Sequence, residues 1–416
     1  MGIINDLIIK EMDRQNNGIE LIASENYPSK AIRDVMSSIL VAKYAEGYPG
    51  KRYYGGCEFI DQIENYAIEK ACELFKCKFA NVQPHSGSQA NAAAYRAIEV
   101  QLQKDGKLLK KNTYRKMKIL SVQLNDGGHL THGSSVSFSS NLYDFSFYKL
   151  DETGHIDFNL VEQSIIENKP DVLLAGYSAY PYEIDFSKFR ELADKYNCKL
   201  IIDMAHIAGI VAAGLCQNPC DYADIVTTTT HKTLRGPRGG LILTNDEELI
   251  KRINSAIFPY YQGGPLEHVI AAKAICFEEA LQPSFKSYMQ MVLKNTKVFT
   301  NRLKALGAIC SSTDNHLMYL NVKDTFGITG IEAQNKLEEI GITTNKNMIP
   351  NDSESPMVTS GLRIGFAALT TRKCNELIAS DIADLIFNYL KGNLEKDSAK
   401  SKIKNIITQI SNLNTV

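Results

Sequence analysis

Between residues 170 and 245, short apolar runs alternate with stretches of helical spacing. Residues 171–177 (DVLLAGY), 199–205 (KLIIDMA) and 240–243 (GLIL) form the runs. Between the first two, Phe186, Phe189, Leu192 and Tyr196 recur at the interval of an amphipathic helix. Strands that are apolar throughout are buried on both faces. The alternation therefore predicts an α/β fold with a mainly parallel sheet covered by helices. In such sheets ligands bind beyond the carboxyl ends of the strands, so the chemistry is sought just after each run. Further along, 265–310 reads as helical, 318–322 as a strand and 330–340 as a helix. Residues 342–345 and 361–365 read as a strand pair, and 375–390 as a terminal helix. This order predicts a small C-terminal α+β domain over 276–416, after a large domain over 46–275. The tail from 395 is polar, with an amphipathic stretch at 403–410.

Composition narrows the function classes. The chain has 416 residues, 44% hydrophobic and 22% charged, with a formal net charge of −1. That balance suits a globular protein of more than one domain and gives no general attraction to nucleic acid or to an anionic membrane. The first residues, MGIINDLIIKEMDRQ, read as an amphipathic helix and not a signal peptide. No apolar run approaches the roughly 20 residues of a membrane span. Nine cysteines, none in a C-x-x-C pair, read as reduced thiols of a cytoplasmic protein. The eight histidines are not at ligand spacing from them, so no metal site is expected.

Three features carry chemistry. Asp203 ends the run LIID, where a carboxylate either caps the next helix or meets a ligand. Lys232 follows the strand-like DIVTTTTH and precedes the turn RGPRGG. A lysine there can bond covalently to an aldehyde, and burial brings its amine toward a usable pKa. Residues 85–91 (HSGSQAN) open a helical AAAYRAIEV. Small residues at a helix start either cap it or present N–H groups to a phosphate. Lysine, carboxylate and phosphate cup together fit pyridoxal phosphate, whose ring nitrogen needs a carboxylate partner if the ring is to accept electrons.

The segments ELIASENYPS, KYAEGYPGKRYYGG, NVQPHSGSQAN, GGHLTHG, DMAHIAG, VTTTTHKTLRGPRGG, QGGP, and NKNMIPND with SGLRIG run in order from about residue 20 to 370. They resemble the signatures of the serine hydroxymethyltransferase family, bacterial type. The resemblance implies fold type I, the aspartate-aminotransferase-like fold of pyridoxal-phosphate enzymes, with tetrahydrofolate as co-substrate. It implies a homodimer with shared active sites, to which residues 1–45 contribute an N-terminal arm and dimer contacts. Lys232 would be the Schiff-base lysine, Asp203 the ring-nitrogen partner, and His129 the imidazole stacked on the ring. Ser86, Gly87, Ser88 and Gln89 would hold the phosphate. Ser178 and His206 would line the phenolic edge, and His231 would tune specificity. Arg363 would clamp the amino-acid carboxylate, assisted by Ser24. Tyr44, Glu46, Tyr53, Tyr54, Gly263 and Gly264 would complete the partner's site, with Glu46 as acid/base. Leu124, Gly128, Leu130, Asn347, Ser355, Pro356 and Met357 would contact the folate.

The implied reaction moves the serine hydroxymethyl carbon to tetrahydrofolate, giving glycine and the methylene adduct. It would pass through an aldimine and a carbanion delocalised into the ring, with folate-independent aldol cleavage as a side activity. A nucleic-acid-binding protein on the same scaffold is the alternative from another class. His85 and His132 read equally well as core hydrogen-bonding residues, and Arg235 and Arg238 as structural. Three departures from the family stand out: Phe258-Pro259-Tyr260-Tyr261 before QGGP, a shorter N-terminal arm, and the basic segment 101–118. That segment holds Lys104, Lys107, Lys110, Lys111, Arg115, Lys116 and Lys118 against the single acid Asp105. It is either a solvated extension or an attractor for a polyanion, the folate polyglutamate tail or RNA, with folate favoured because the segment runs toward Leu124, Gly128 and Leu130.

Overall fold

The structure is a computed structural model that describes residues 2–108 and 115–415. Its Cα packing forms two compact units. The larger comprises Pro28–Ser178 and Ile184–Lys286, and the smaller the described residues up to Tyr27, Ala179–Glu183, and the chain from Ser287 onward. The boundary read from the sequence near 276 falls inside the helix Glu267–Leu281, which belongs wholly to the larger unit.

The larger unit is built on seven strands: β1 (Phe79–Asn81), β2 (Lys118–Val122), β3 (Asp144–Tyr148), β4 (Val172–Ala175), β5 (Lys199–Asp203), β6 (Ile225–Thr229) and β7 (Gly240–Thr244). Their order is β1-β7-β6-β5-β4-β2-β3. From β6 to β3 all pairs are parallel, while β7 runs antiparallel to both β6 and β1. The three apolar runs of the sequence are β4, β5 and β7. Val172, Leu173, Leu200, Ile201 and Ile202 are completely buried, as the inner strands of a covered sheet must be. The helix Gly87–Lys104 packs on β5, β6 and β7 through Ala90, Ala93, Ala94 and Ala97, whose small side chains allow close approach. Ile98, Leu174, Ile201, Ile225 and Ile242 fill the same core, each burial worth about 1.5–3 kcal/mol.

The smaller unit holds a three-stranded antiparallel sheet of β8 (Leu317–Asn321), β9 (Asn345–Asn347) and β10 (Gly361–Gly365), in the order β8-β10-β9. Helices Gly330–Glu339, Glu376–Lys391 and Lys396–Ile407 cover it around a core that includes Met318, Leu337, Leu362, Ile382 and Ile403. The strand expected at 342–345 divides. Ile342–Thr343 pairs with Ile19–Glu20 in parallel, and only Asn345–Asn347 pairs with β10. The chain changes sheets at Thr344 because the N-terminal segment supplies the partner of Ile342. The amphipathic N-terminal helix is Gly2–Asn16, with Ile3, Ile4, Leu7 and Ile8 exposed. Beneath it, buried Arg372 donates to the carbonyls of Gln15, Asn16, Gly18 and Ser411.

Two of the departures have physical accounts. Within 101–118, Lys110 and Lys111 lie outside the described residues. Arg115 forks onto Asp171 (2.5 and 2.8 Å), and Lys116 donates to the Asn141 carbonyl (2.6 Å). The segment joins the far end of Gly87–Lys104 to the start of β2. Its described residues 115–118 therefore lie at the amino-terminal edge of the parallel strands, whereas Leu124, Gly128 and Leu130 follow the carboxyl end of β2. The expectation that it runs toward the folate contacts is corrected here: a whole strand intervenes. The tyrosines of FPYY do not take positive φ. Tyr260 lies against the Arg96 guanidinium, 4.7 Å from its ring centroid, and Tyr261 packs on the core of the larger unit.

Candidate active site

β1, β2, β4, β5 and β6 each deliver residues beyond their carboxyl ends to one cavity of the larger unit. Its lining includes Ser86, Gly87, Ser88, Asn91, His129, His132, Ser178, Asp203, His206, His231 and Lys232. Residues far apart in sequence meet here because the parallel strands end side by side.

The phosphate cup is a helix start. Ser86 is the N-cap of Gly87–Lys104, with its hydroxyl accepting from Gln89 N–H (3.2 Å). Its carbonyl accepts from Ala90 N–H (3.0 Å). The Gly87 and Ser88 N–H groups, at the positive end of the helix dipole, are left to serve an anion. Gly87 admits no side chain, since a Cβ there would lie 2.6 Å from Thr229 Cγ2. The Gln89 side chain is already engaged: Oε1 accepts from His85 N–H (2.8 Å) and Nε2 donates to the Tyr261 carbonyl (3.4 Å). Its part in the cup is thus to tie the FPYY loop to the helix start.

Asp203 stands at the end of β5. Gly176, with φ +138, passes so close that a Cβ would be 2.3 Å from the Asp203 carbonyl oxygen. Asp203 Oδ1 accepts from Ala205 N–H (3.0 Å), and Oδ2 accepts from Asn91 Nδ2 (2.8 Å) and His132 Nε2 (3.1 Å). Burial alone would raise this carboxyl's pKa. The His132 hydrogen bond, the electrostatic pull of His132 and His129, and the Asn91 hydrogen bond outweigh it and hold Asp203 well below the ordinary carboxylate range. His132, which the sequence left as either core or site, is thus a direct partner of Asp203. Its Nδ1 faces the His129 N–H (3.3 Å), which leaves the proton on Nε2. The His129 ring is fixed by Thr131, whose hydroxyl and N–H approach its Nδ1 at 2.7 and 3.2 Å.

Lys232 follows β6 with Nζ 3.0 Å from Thr229 Oγ1. The turn after it is locked by Gly236 N–H to the Thr230 carbonyl (2.7 Å) and Arg235 N–H to the Lys232 carbonyl (3.0 Å). This gives Arg235, with φ +61, a structural place, while Arg238 reaches the cavity wall. His231 is pushed down to about 3 by burial and by the charges of Lys232 and Arg238, so it is neutral near pH 7. His206 is held through its carbonyl by Thr233 Oγ1 (2.8 Å), and Ser178 N–H donates to the Gly127 carbonyl (2.7 Å).

A second cluster of the larger unit gathers the residues expected to serve a partner. Tyr44 and Tyr54 meet edge to face at 5.1 Å, and the Tyr44 hydroxyl donates to Glu46 Oε1 (3.3 Å). A Cβ on Gly263 would lie 2.9 Å from that same oxygen, and one on Gly264 3.3 Å from the Tyr44 ring. Tyr53 packs on Phe258. Arg52 anchors the cluster, paired with Asp61 (2.8 Å) and buried Glu64 (2.6 Å). Tyr44, Tyr53 and Tyr54 are exposed, and no member of the cluster lines the cavity of its own chain.

The smaller unit carries the rest. Arg363 lies on β10, opposite Tyr319 and Asn345, and burial draws its pKa down to about 10. The turn bearing Ser24 is tied to the same strand by Gly365 N–H to the Leu21 carbonyl (2.9 Å). Asn347 closes β9 opposite Gly361. Ser355, Pro356 and Met357 lie in a loop held by Asp352, which accepts from the N–H groups of Ile349, Glu354 and Ser360. Met357 is exposed.

A strand-end lysine, a buried ionised carboxylate, an orientable imidazole and a helix-start phosphate cup together define a pyridoxal-phosphate enzyme of fold type I. The donors present fit the cofactor: two free helix-start N–H groups for its phosphate and an ionised Asp203 for its ring nitrogen. A family model described as serine hydroxymethyltransferase matches residues 3–386. A serine hydroxymethyltransferase of Lactobacillus gasseri is 50% identical over 409 residues, covering 97% of this chain and 96% of the relative. The chain belongs to the serine hydroxymethyltransferase family, whose enzymes interconvert serine and glycine with tetrahydrofolate as co-substrate.

Proposed function

We propose that the two clusters of the larger unit and the Arg363 strand of the smaller one form the working parts of a shared site in a homodimer. When bound, pyridoxal phosphate supplies a ring that accepts electrons from the amino acid. Lys232 would hold it through its side-chain amine. Asp203 keeps a proton on the ring nitrogen, and the collar of Asn91 and His132 keeps Asp203 ionised. His129, Ser178 and His206, which line the same cavity, would border the cofactor. His231, being neutral, adds no charge beside the lysine. Arg363 and Ser24 hold the substrate carboxylate, and Glu46, with Tyr44, Tyr54, Gly263 and Gly264, enters from the partner subunit to move protons at the hydroxyl of serine. Leu124, Gly128, Leu130, Asn347 and residues 355–357 border the folate. Aldol cleavage of β-hydroxy amino acids without folate would be a side activity of the same site.

The observation that carries this reading is Asp203, largely buried yet made more acidic by its partners. Among the described residues no helix is long and apolar enough to cross a membrane, and all nine cysteines are free thiols. The thiols support a cytoplasmic location. The test is the absorption spectrum of the cofactor-loaded protein with glycine. A long-wavelength band that appears only when tetrahydrofolate is added supports the proposal. A spectrum indifferent to folate overturns it.

A further inference from the structure

Lys273 lies on the helix Glu267–Leu281 and is buried. Its Nζ donates to the carbonyls of Val82 (2.6 Å), Pro84 (3.1 Å) and Gly240 (2.8 Å), and these hydrogen bonds include no carboxylate. A buried ammonium held by carbonyl dipoles alone keeps most of its charge uncompensated, which is costly unless an anion lies within reach. Burial draws it down to about 7, with Glu64 acting in the opposite sense. A further negative charge nearby favours the protonated form.

The acceptors show where that anion belongs. Val82 and Pro84 lead directly into the cup at Ser86. Gly240 opens β7 just after the turn that follows Lys232, and its N–H donates to the Pro84 carbonyl (2.9 Å). A Cβ on Gly239 would lie 2.5 Å from Lys273 Cε, and one on Gly240 2.3 Å from the Ser86 carbonyl oxygen. The Lys273 stem thus packs on Gly239, and the adjoining Gly240 packs on the backbone of Ser86, which opens the cup. The cup residues 86–89 themselves carry no cationic side chain.

We propose that Lys273 is a positioning residue for the cofactor: its ammonium pins the backbone of the cup and supplies the buried charge that favours phosphorylated over unphosphorylated pyridoxal. The inference rests on pyridoxal phosphate as the cofactor but assigns a residue outside the cavity.

The test compares the affinity of the apoenzyme for pyridoxal phosphate and for pyridoxal, followed by fluorescence quenching. Lys273→Met should weaken pyridoxal phosphate binding by about tenfold or more and leave pyridoxal within about twofold, since only the phosphate carries the charge. Lys273→Gln keeps donor groups and removes the charge. It should lose the same preference, and it carries the test where the methionine variant does not fold. Equal losses for both ligands would reduce Lys273 to packing. A glutamine variant with the parent's preference for the phosphorylated ligand would overturn the proposal.

Discussion

Asn91 donates to Asp203 Oδ2 at 2.8 Å and, with its other amide hydrogen, to Thr131 Oγ1 at 2.9 Å. Its own oxygen accepts from Thr227 Oγ1 at 2.6 Å. One buried amide thus fixes both the carboxylate proposed for the ring nitrogen and, through Thr131, the imidazole proposed for the ring face. Asn91→Ala should leave a fold that is weaker by about 1–3 kcal/mol, the usual cost of stranding buried polar groups. Serine turnover should fall more than tenfold with little change in the KM for serine. Steady-state kinetics alongside urea denaturation would separate the two effects. A turnover within twofold of the parent would count against the role given to Asn91.

Asp203→Asn probes the charge alone. The amide preserves size but cannot hold a proton on the ring nitrogen, so serine cleavage should drop by at least about a hundredfold while the cofactor still binds. Single-turnover rates with serine, with cofactor content measured in parallel, would check it.

His231 gives a pH dependence whose sign is fixed. Its folded value, about 3, lies below the ordinary value of 6.5. Between those limits the unfolded chain binds a proton that the folded chain does not. Stability from this group is therefore full above about 6.5 and is lost as pH falls through the window, by up to about 5 kcal/mol in all. Buried Glu267, raised to about 8 chiefly by burial, works in the opposite direction, so the informative quantity is the difference between variant and parent. His231→Asn should flatten the fall in urea midpoint between pH 6.5 and 4. Parallel curves for variant and parent would contradict the burial argument.

The exposed cluster of Tyr44, Glu46, Tyr54, Gly263 and Gly264 predicts complementation. Glu46→Gln and Lys232→Ala should each be inactive alone. Mixed under conditions of subunit exchange, they should recover up to about a quarter of parental activity, because half the dimers are hybrids with one intact site of two. Proven exchange with no recovery would show that each chain supplies its own Glu46.

The basic segment predicts an absence of effect. Lys104→Ser with Lys107→Ser should leave the KM for monoglutamyl and polyglutamyl tetrahydrofolate unchanged within about twofold, even at low salt where surface charge acts farthest. A selective rise for the polyglutamate would restore the role suggested by charge alone.

Much of this site was legible before any coordinates. Asp203 and Lys232 follow apolar runs, and such runs end at the ligand edge of a parallel sheet. Ser86 and Gly87 open a helix in plain view. His132 was harder, because a histidine three positions from another reads equally as core until β2 and β5 are placed together. Asn91 and Lys273 gave no signal of their own, since their partners lie 112 and 33 or more positions away and only the sheet order joins them. The basic segment misled for a related reason: sequence adjacency to Leu124 says nothing of which end of a strand a residue occupies. The division at Thr344 was equally hidden, because the partner of Ile342 comes from the chain's first turn of strand, Ile19.

The separation of the two edges of the sheet has a practical side. Gly106, in the turn after the helix Gly87–Lys104, has φ +72 and open space around its α-carbon. It lies one helix of 18 residues, about 27 Å, from the phosphate cup. A dye, an epitope or a surface tether grafted there would hold the protein by the amino-terminal edge of its sheet, leaving the carboxyl edge, where the proposed site lies, turned to the solution.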